Sequence, residues 1–250
     1  MALPENKPKE FNKTPRIFLI WGQSMSGKTY LARQFPNPII LSTDGNAAKV
    51  DTPSMDITSF EQFVNAIEEI EEGKHTFETV IIDLVDDIAM LLNKYVCDYF
   101  KIDSLGSNPK LYSRDYSMFN NMWKALMMRL SSMKYNVIFI SHIVEGNDGD
   151  TQIQLPSLPQ KQLNGCKGRC DAYIKCSKIG STYIQKCEER RDEYVLADIK
   201  DSKVSEALKN VKGLFNDVDN KPVVNVVKAG ESAPKADAMP SSVKTMMKKN

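Results

Sequence analysis

Residues 22–29 read GQSMSGKT: two glycines five apart, then a lysine and a threonine. A run of this kind can hold phosphate. Gly22 and Gly27 let the backbone curl so that successive N–H groups face phosphate oxygens. The spacing satisfies G-x-x-x-x-G-K-[ST], which gives Lys28 reach to β- and γ-phosphates and offers the Thr29 hydroxyl to Mg²⁺. The candidate nucleotide contacts are therefore Gly22, Gln23, Ser24, Met25, Ser26, Gly27, Lys28, Thr29 and the following Tyr30. A metal at Thr29 calls for a carboxylate from a neighbouring strand end. Asp83 closes the apolar run Thr79–Ile82, so Thr29 and Asp83 are the candidate metal ligands. Hydrolysis also requires a group that orients water. Asp44 is the candidate, although Thr43-Asp44-Gly45-Asn46 is equally good turn sequence. His142 follows the apolar run Asn136–Ile140, where it can sense a γ-phosphate. Asp86 and Asp87 read as favourable charge at a helix N-terminus. His75 lies in a loop and has no expected chemical role.

These residues need a scaffold that brings strand ends together. Arg16–Trp21, Ile39–Leu41, Thr79–Ile82 and Asn136–Ile140 read as buried strands. Between them the pattern predicts helices over Lys28–Phe35, from Ser59 to Gly73, after Asp83, and over Met118–Met133. Ser59 with Gln62 fits a capping box. The helix after Asp83 is expected to bury Ile88, Leu91, Leu92, Tyr95 and Tyr99. Residues 101–117 read as turn-rich and 144–169 as a long loop. Asp171–Cys176, Thr182–Cys187 and Tyr194–Ile199 read as a further core strand and a hairpin, and Ser202–Phe215 as an amphipathic helix. Strands alternating with helices imply an α/β fold with a mainly parallel twisted sheet covered on both faces. Ligands in such sheets sit at the carboxyl ends of strands, which is where the candidate residues fall.

Residues 1–14 read as a flexible arm, 15–228 as one domain, and 229–250 as a disordered tail. A hydrophobic content of 42% supports a substantial core. No apolar run approaches bilayer length, and the first residues lack the apolar stretch of a secretory signal, so a cytoplasmic protein is expected. Four of the five cysteines lie between 166 and 187. Only Cys166 and Cys170 form a close pair, so buried thiols are favoured over a zinc site. Net charge is +1, but residues 51–100 hold twelve acids and two bases, leaving +11 on the remainder. That asymmetry leaves room for a basic groove elsewhere.

The chain resembles the phage-encoded RecA-like ATPases, the phage nucleotide-binding group with an AAA domain that includes single-strand-annealing recombinases. The resemblance rests on WGQSMSGKT, IILSTDGNA, FETVIIDLVDD, VIFISH and a Pro-containing loop leading to GRCDAYIKC, over roughly residues 15–200. It implies a P-loop NTPase of RecA-like type with a C-terminal β-hairpin extension, and ATP hydrolysis with Mg²⁺ through Lys28, Thr29 and Asp83. It makes Asp44 the counterpart of the water-activating acid, with Asp in place of the usual Glu, and His142 the counterpart of the polar sensor. It further implies single-stranded DNA as a partner. The contacts would come from Lys110, Tyr112, Arg114 and Tyr116, and from Lys161, Lys167 and Arg169. A homo-oligomer is implied, with a cation contributed in trans by Lys200 or Lys203, or else by Arg190 or Arg191. A phage single-strand-binding or replication protein is a further candidate partner. The competing readings are a helicase-loader ATPase or a nucleotide switch acting on a protein, and a small-molecule phosphotransferase. The absence of Lys and Arg from 141–160 weighs against the phosphotransferase.

Overall fold

Alternation along the central strands decides the architecture. In β1 (Ile17–Gly22), Ile17, Leu19 and Trp21 face one apolar cluster, while Phe18 and Ile20 face another. A strand apolar on both faces has to be covered on both. The computed structural model, which describes residues 14–46, 49, 51–148 and 151–216, shows this arrangement. Its main sheet has seven strands in the order β3-β2-β4-β5-β1-β8-β9. These are β1, β2 (Pro38–Ser42), β3 (Ser54–Asp56), β4 (Thr79–Asp83), β5 (Asn136–Ser141), β8 (Ala172–Ile179) and β9 (Thr182–Arg190). All neighbours pair in parallel except β8 and β9, which form an antiparallel hairpin at one edge. This is a P-loop NTPase-type α/β fold.

On one face lie α2 (Phe60–Glu72), α3 (Val85–Phe100), α4 (Arg114–Ser132) and α5 (Gln160–Lys167), packed over Leu19, Val80, Ile82, Val137 and Phe139. The other face carries α1 (Lys28–Ala32) and α6 (Ser202–Leu208) over Phe18, Ile20, Ile81, Ile138 and Ile174. Local signals set the helix ends. Ser59 Oγ accepts the Gln62 N–H at 3.1 Å, and Gly73 closes α2 with φ +70°. The return arm of the expected capping box is displaced by one residue, because Gln62 Oε1 takes the Thr58 N–H instead. At the entry to the sheet, Asp171 Oδ2 accepts the Arg16 and Ile17 N–H groups at 2.8 and 3.0 Å, tying β1 to the start of β8.

Several expectations are corrected. The first helix stops at Ala32, and its tail tightens into turns in which the Gln34 and Phe35 N–H groups reach back three residues. Strand β3 went unread because three polar-leaning residues carry no pattern; its neighbours dock it through Ile40 N–H to Pro53 O and Ile57 N–H to Ser42 O. Tyr99 is 65% exposed, since the buried stripe of α3 runs through Val85, Ile88, Ala89, Leu92 and Val96. Helix α4 starts at Arg114, four residues earlier than expected, with Asp115 accepting the Gly106 N–H at 2.5 Å. The long loop over 144–169 is instead a hairpin, β6 (Ile143–Asp148) with β7 (Thr151–Pro156), followed by α5. Tyr194–Ile199 is no strand: Tyr194 makes one bridge to Phe215, and Leu196–Asp198 is a 3₁₀ turn. The last helix ends at Leu208, because the chain then turns through Gly213 (φ +76°) and Lys212 bridges to Lys186 of β9. The expected arm and tail lie outside the described residues, apart from Thr14. No helix among the described residues is long and apolar enough to cross a membrane.

The two aromatic positions separate in a stability test. Phe63 is fully buried, so Phe63→Ala should cost about 3–5 kcal/mol in chemical denaturation. Tyr99→Ala should stay within about 0.5 kcal/mol of wild type.

Candidate functional site

The loop between β1 and α1 has a backbone that only particular residues accept. Gly22 has φ +150°, and a Cβ there would stand 2.1 Å from the Cys176 carbonyl oxygen of β8. Gly27 has φ +88° and caps α1. Lys28 is 6% exposed, and its Nζ donates to Gly22 O at 3.0 Å and Gln23 O at 2.8 Å. Burial pushes the Lys28 ammonium below its ordinary pKa, against the pull of Asp83, Cys176 and Asp86. Two neutral carbonyls are weaker partners for an ammonium than a phosphate is, so the loop can exchange one for the other.

Parallel register brings the remaining residues to the same edge. Trp21 pairs with Ser141, Ile140 with Asp83, and Asp83 with Ser42. Thr29 Oγ1 donates to Asp83 Oδ2 at 2.7 Å, linking α1 to the end of β4. Asp83 is 8% exposed. Burial raises its pKa, with the Thr29 hydrogen bond and Lys28 opposing. A hydroxyl and a carboxylate side by side are a hard oxygen pair. They suit Mg²⁺, which binds few protein ligands and completes its shell with water and phosphate. Thr29 and Asp83 are the residues that would hold it.

Asp44 stands at the end of β2, close enough for its charge to act on Asp83. Its oxygens, however, close its own turn. Oδ1 accepts from Ser42 Oγ (2.8 Å) and Asn46 N–H (3.0 Å), and Oδ2 from Asn46 Nδ2 (2.5 Å). Burial would raise its pKa, but the bonds from Asn46 and Ser42 outweigh that and hold it low. His142, at the end of β5 between the loop strand and β4, donates its backbone N–H to Asp86 Oδ2 at 2.8 Å. Asp86 lies in the first turn of α3, as its reading as helix N-terminal charge expects, but it is not a surface charge. It is 8% exposed, and its Oδ1 is buried without a hydrogen-bond partner. Burial raises its pKa, with Ser141 and His142 opposing.

The other candidates divide. Helix α3 passes the first turn of α2, where Tyr95 meets Phe60 at 5.6 Å, and α4 returns to its last turn, where Arg129 pairs with Glu71 at 2.6 Å. Residues 101–113 therefore lie on the same edge as the loop, with Lys110, Tyr112 and Arg114 exposed there. The Tyr116 hydroxyl donates to Leu105 O at 3.2 Å. On and after α5, Lys161 is exposed, Lys167 pairs with Glu189 at 2.5 Å and Arg169 donates to Gly165 O at 2.9 Å. Arg190 is taken by Leu214 O and Asn216, and Arg191 by Cys170 O and Gly168 O. Lys200 and Lys203 are exposed at the start of α6. His75 is a structural partner, accepting the Phe77 N–H at 3.0 Å and touching Ile70 O at 2.8 Å. All five cysteines are buried and free, and no cluster of metal-ligating side chains is found among the described residues.

Fold and loop together define a P-loop NTPase-type protein. Residues 14–196 match the AAA domain family (AAA_24), and the chain belongs to that family. It is also similar to the SPbeta prophage-derived uncharacterized protein YorG of Bacillus subtilis (strain 168), at 24% identity over 139 residues. That match covers 54% of this chain and 43% of the relative, so the chain spans less than half of the relative's length. The chain is thus an AAA-domain protein with a P-loop NTPase-type fold.

The burial of Asp86 has a pH signature. Its folded pKa lies above the ordinary carboxyl value, so the folded state takes up the proton first as pH falls. Measured by denaturation across pH 3–7, wild type should therefore gain stability relative to Asp86→Asn as pH falls through the raised pKa. The gain should level off near the ordinary carboxyl value of 3.8.

Proposed function

We propose that the protein is a RecA-type, Mg²⁺-dependent ATPase of phage origin that acts on single-stranded DNA in recombination, annealing or replication. The observation that carries this reading is the cluster of Lys28, Thr29 and Asp83 at one sheet edge, joined by the 2.7 Å Thr29–Asp83 bond. The loop N–H groups and Lys28 bind the β- and γ-phosphates. Thr29 and Asp83 would hold Mg²⁺, which would supply positive charge against the phosphates. Asp44 orients the attacking water, for which its carboxylate has to leave its own turn. His142, between the loop and Asp83, senses the γ-phosphate.

For DNA, the exposed Lys110, Tyr112 and Arg114 supply cations and a stacking ring. Segment 143–156 carries three acids and no Lys or Arg, so the hairpin β6–β7 adds no cation for a DNA backbone. Lys161 beyond it is the exposed cation on that side. Assembly into a homo-oligomer would bring Lys200 or Lys203 to a neighbouring site, since Arg190 and Arg191 already hold their own chain together. A second reading, a nucleotide switch or helicase loader acting on a protein partner, is favoured by the closed turn at Asp44, which slows hydrolysis.

The two readings part on DNA. ATP turnover should rise with single-stranded DNA, and Lys28→Ala should lower it by at least about a hundredfold. Changing Lys110, Tyr112 and Arg114 to alanine together should remove the stimulation while leaving turnover without DNA intact. Turnover that ignores DNA in wild type would favour the protein-directed switch.

A further inference from the structure

Tyr183 of β9 sits against the phosphate loop. A Cβ built on Gly27 would come within 3.2 Å of the Tyr183 Cδ1 and 3.7 Å of its Cε1. The ring thus rests on bare backbone one residue before Lys28, and it is still 46% exposed. Lys178, its register partner across the hairpin, holds Nζ 5.0 Å from the ring centroid. Binding of phosphate and metal as described above uses neither residue.

Strand order decides which part of a nucleotide would meet this ring. Asp83 lies on β4, to one side of β1 and beyond β5, whereas β8 and β9 lie on the other side. A nucleoside triphosphate whose metal and γ end sit at Thr29 and Asp83 has its ribose and base at the opposite end of the phosphate chain. That end points away from β4, towards the β8–β9 hairpin. A half-exposed aromatic ring standing at the loop's mouth offers a face on which a base can stack. The charge of Lys178 beside it favours an anionic nucleotide over an uncharged nucleoside.

We propose that Tyr183 forms the base-stacking wall of the nucleotide site, taking the purine of a purine nucleoside triphosphate, with Lys178 as its flanking cation. The proposal rests on the nucleotide reading above and adds to it the element that recognises the base. It also gives the C-terminal hairpin a role beyond extending the sheet. Gly27 is then constrained twice, by its φ of +88° and by the ring pressed on it.

Isothermal titration of the full chain with ATP and with inorganic tripolyphosphate, each with Mg²⁺, tests this in wild type, Tyr183→Ala and Tyr183→Phe. Tyr183→Ala should weaken ATP about tenfold or more and leave tripolyphosphate unchanged, because only ATP carries a base to stack. Tyr183→Phe should match wild type with both ligands. ATP binding that is equal in wild type and Tyr183→Ala overturns the stacking wall and leaves the nucleotide reading standing. A parallel loss of tripolyphosphate also overturns it, since the ring would then only prop Gly27. If wild type binds neither ligand, the nucleotide reading and this proposal fall together.

Discussion

The parallel register of β1, β5, β4 and β2 is the constraint on which the site depends. Strands running the same way end at the same edge, so four stretches distant in sequence deliver their next residues to one place. Trp21 beside Ser141, Ile140 beside Asp83 and Asp83 beside Ser42 set the level. Because β5 stands between β1 and β4, Ser141 and His142 emerge between the loop and the acid. A one-residue slip in any of these pairs would exchange the two faces of a strand and move its terminal residue out of line. The apolar clusters on both faces hold the register against that slip.

Burial of charge at this edge is costly and has to be offset locally. Lys28, Asp83 and Asp86 are each more than nine-tenths buried, and desolvation shifts each towards its neutral form. Short hydrogen bonds from Thr29 to Asp83 and from the His142 N–H to Asp86 offset part of the cost. In the proposed reading, the remainder would be offset by a charged guest: phosphate for the ammonium and a divalent cation for the carboxylate. Asp86 shows that the offset is incomplete, with one oxygen satisfied and the other buried alone.

Legibility from sequence varied with the range of the interaction. The backbone of the loop between β1 and α1 was readable because residue types at fixed spacing specify it, and Gly22 and Gly27 occupy positive-φ positions. The buried strands were readable as continuous apolar runs. Helix α2 was readable from Ser59 and Gly73. Short or mixed segments were not: β3 has three residues, and β6–β7 alternates too briefly to stand out from a loop. The burial of Asp86 and the seating of Tyr183 on Gly27 were illegible for a different reason. Both depend on contacts between segments far apart in the chain, which local pattern does not encode.

The central claim is that Lys28, Thr29 and Asp83 form one metal–nucleotide site. Thermal unfolding of the full chain with ATP, in Mg²⁺ and then in excess chelator, tests it most directly. The account predicts a rise in Tm with Mg²⁺ and ATP together that shrinks when the metal is removed and is lost in Lys28→Ala. An unchanged Tm in wild type, or a rise that survives both the chelator and Lys28→Ala, would contradict it.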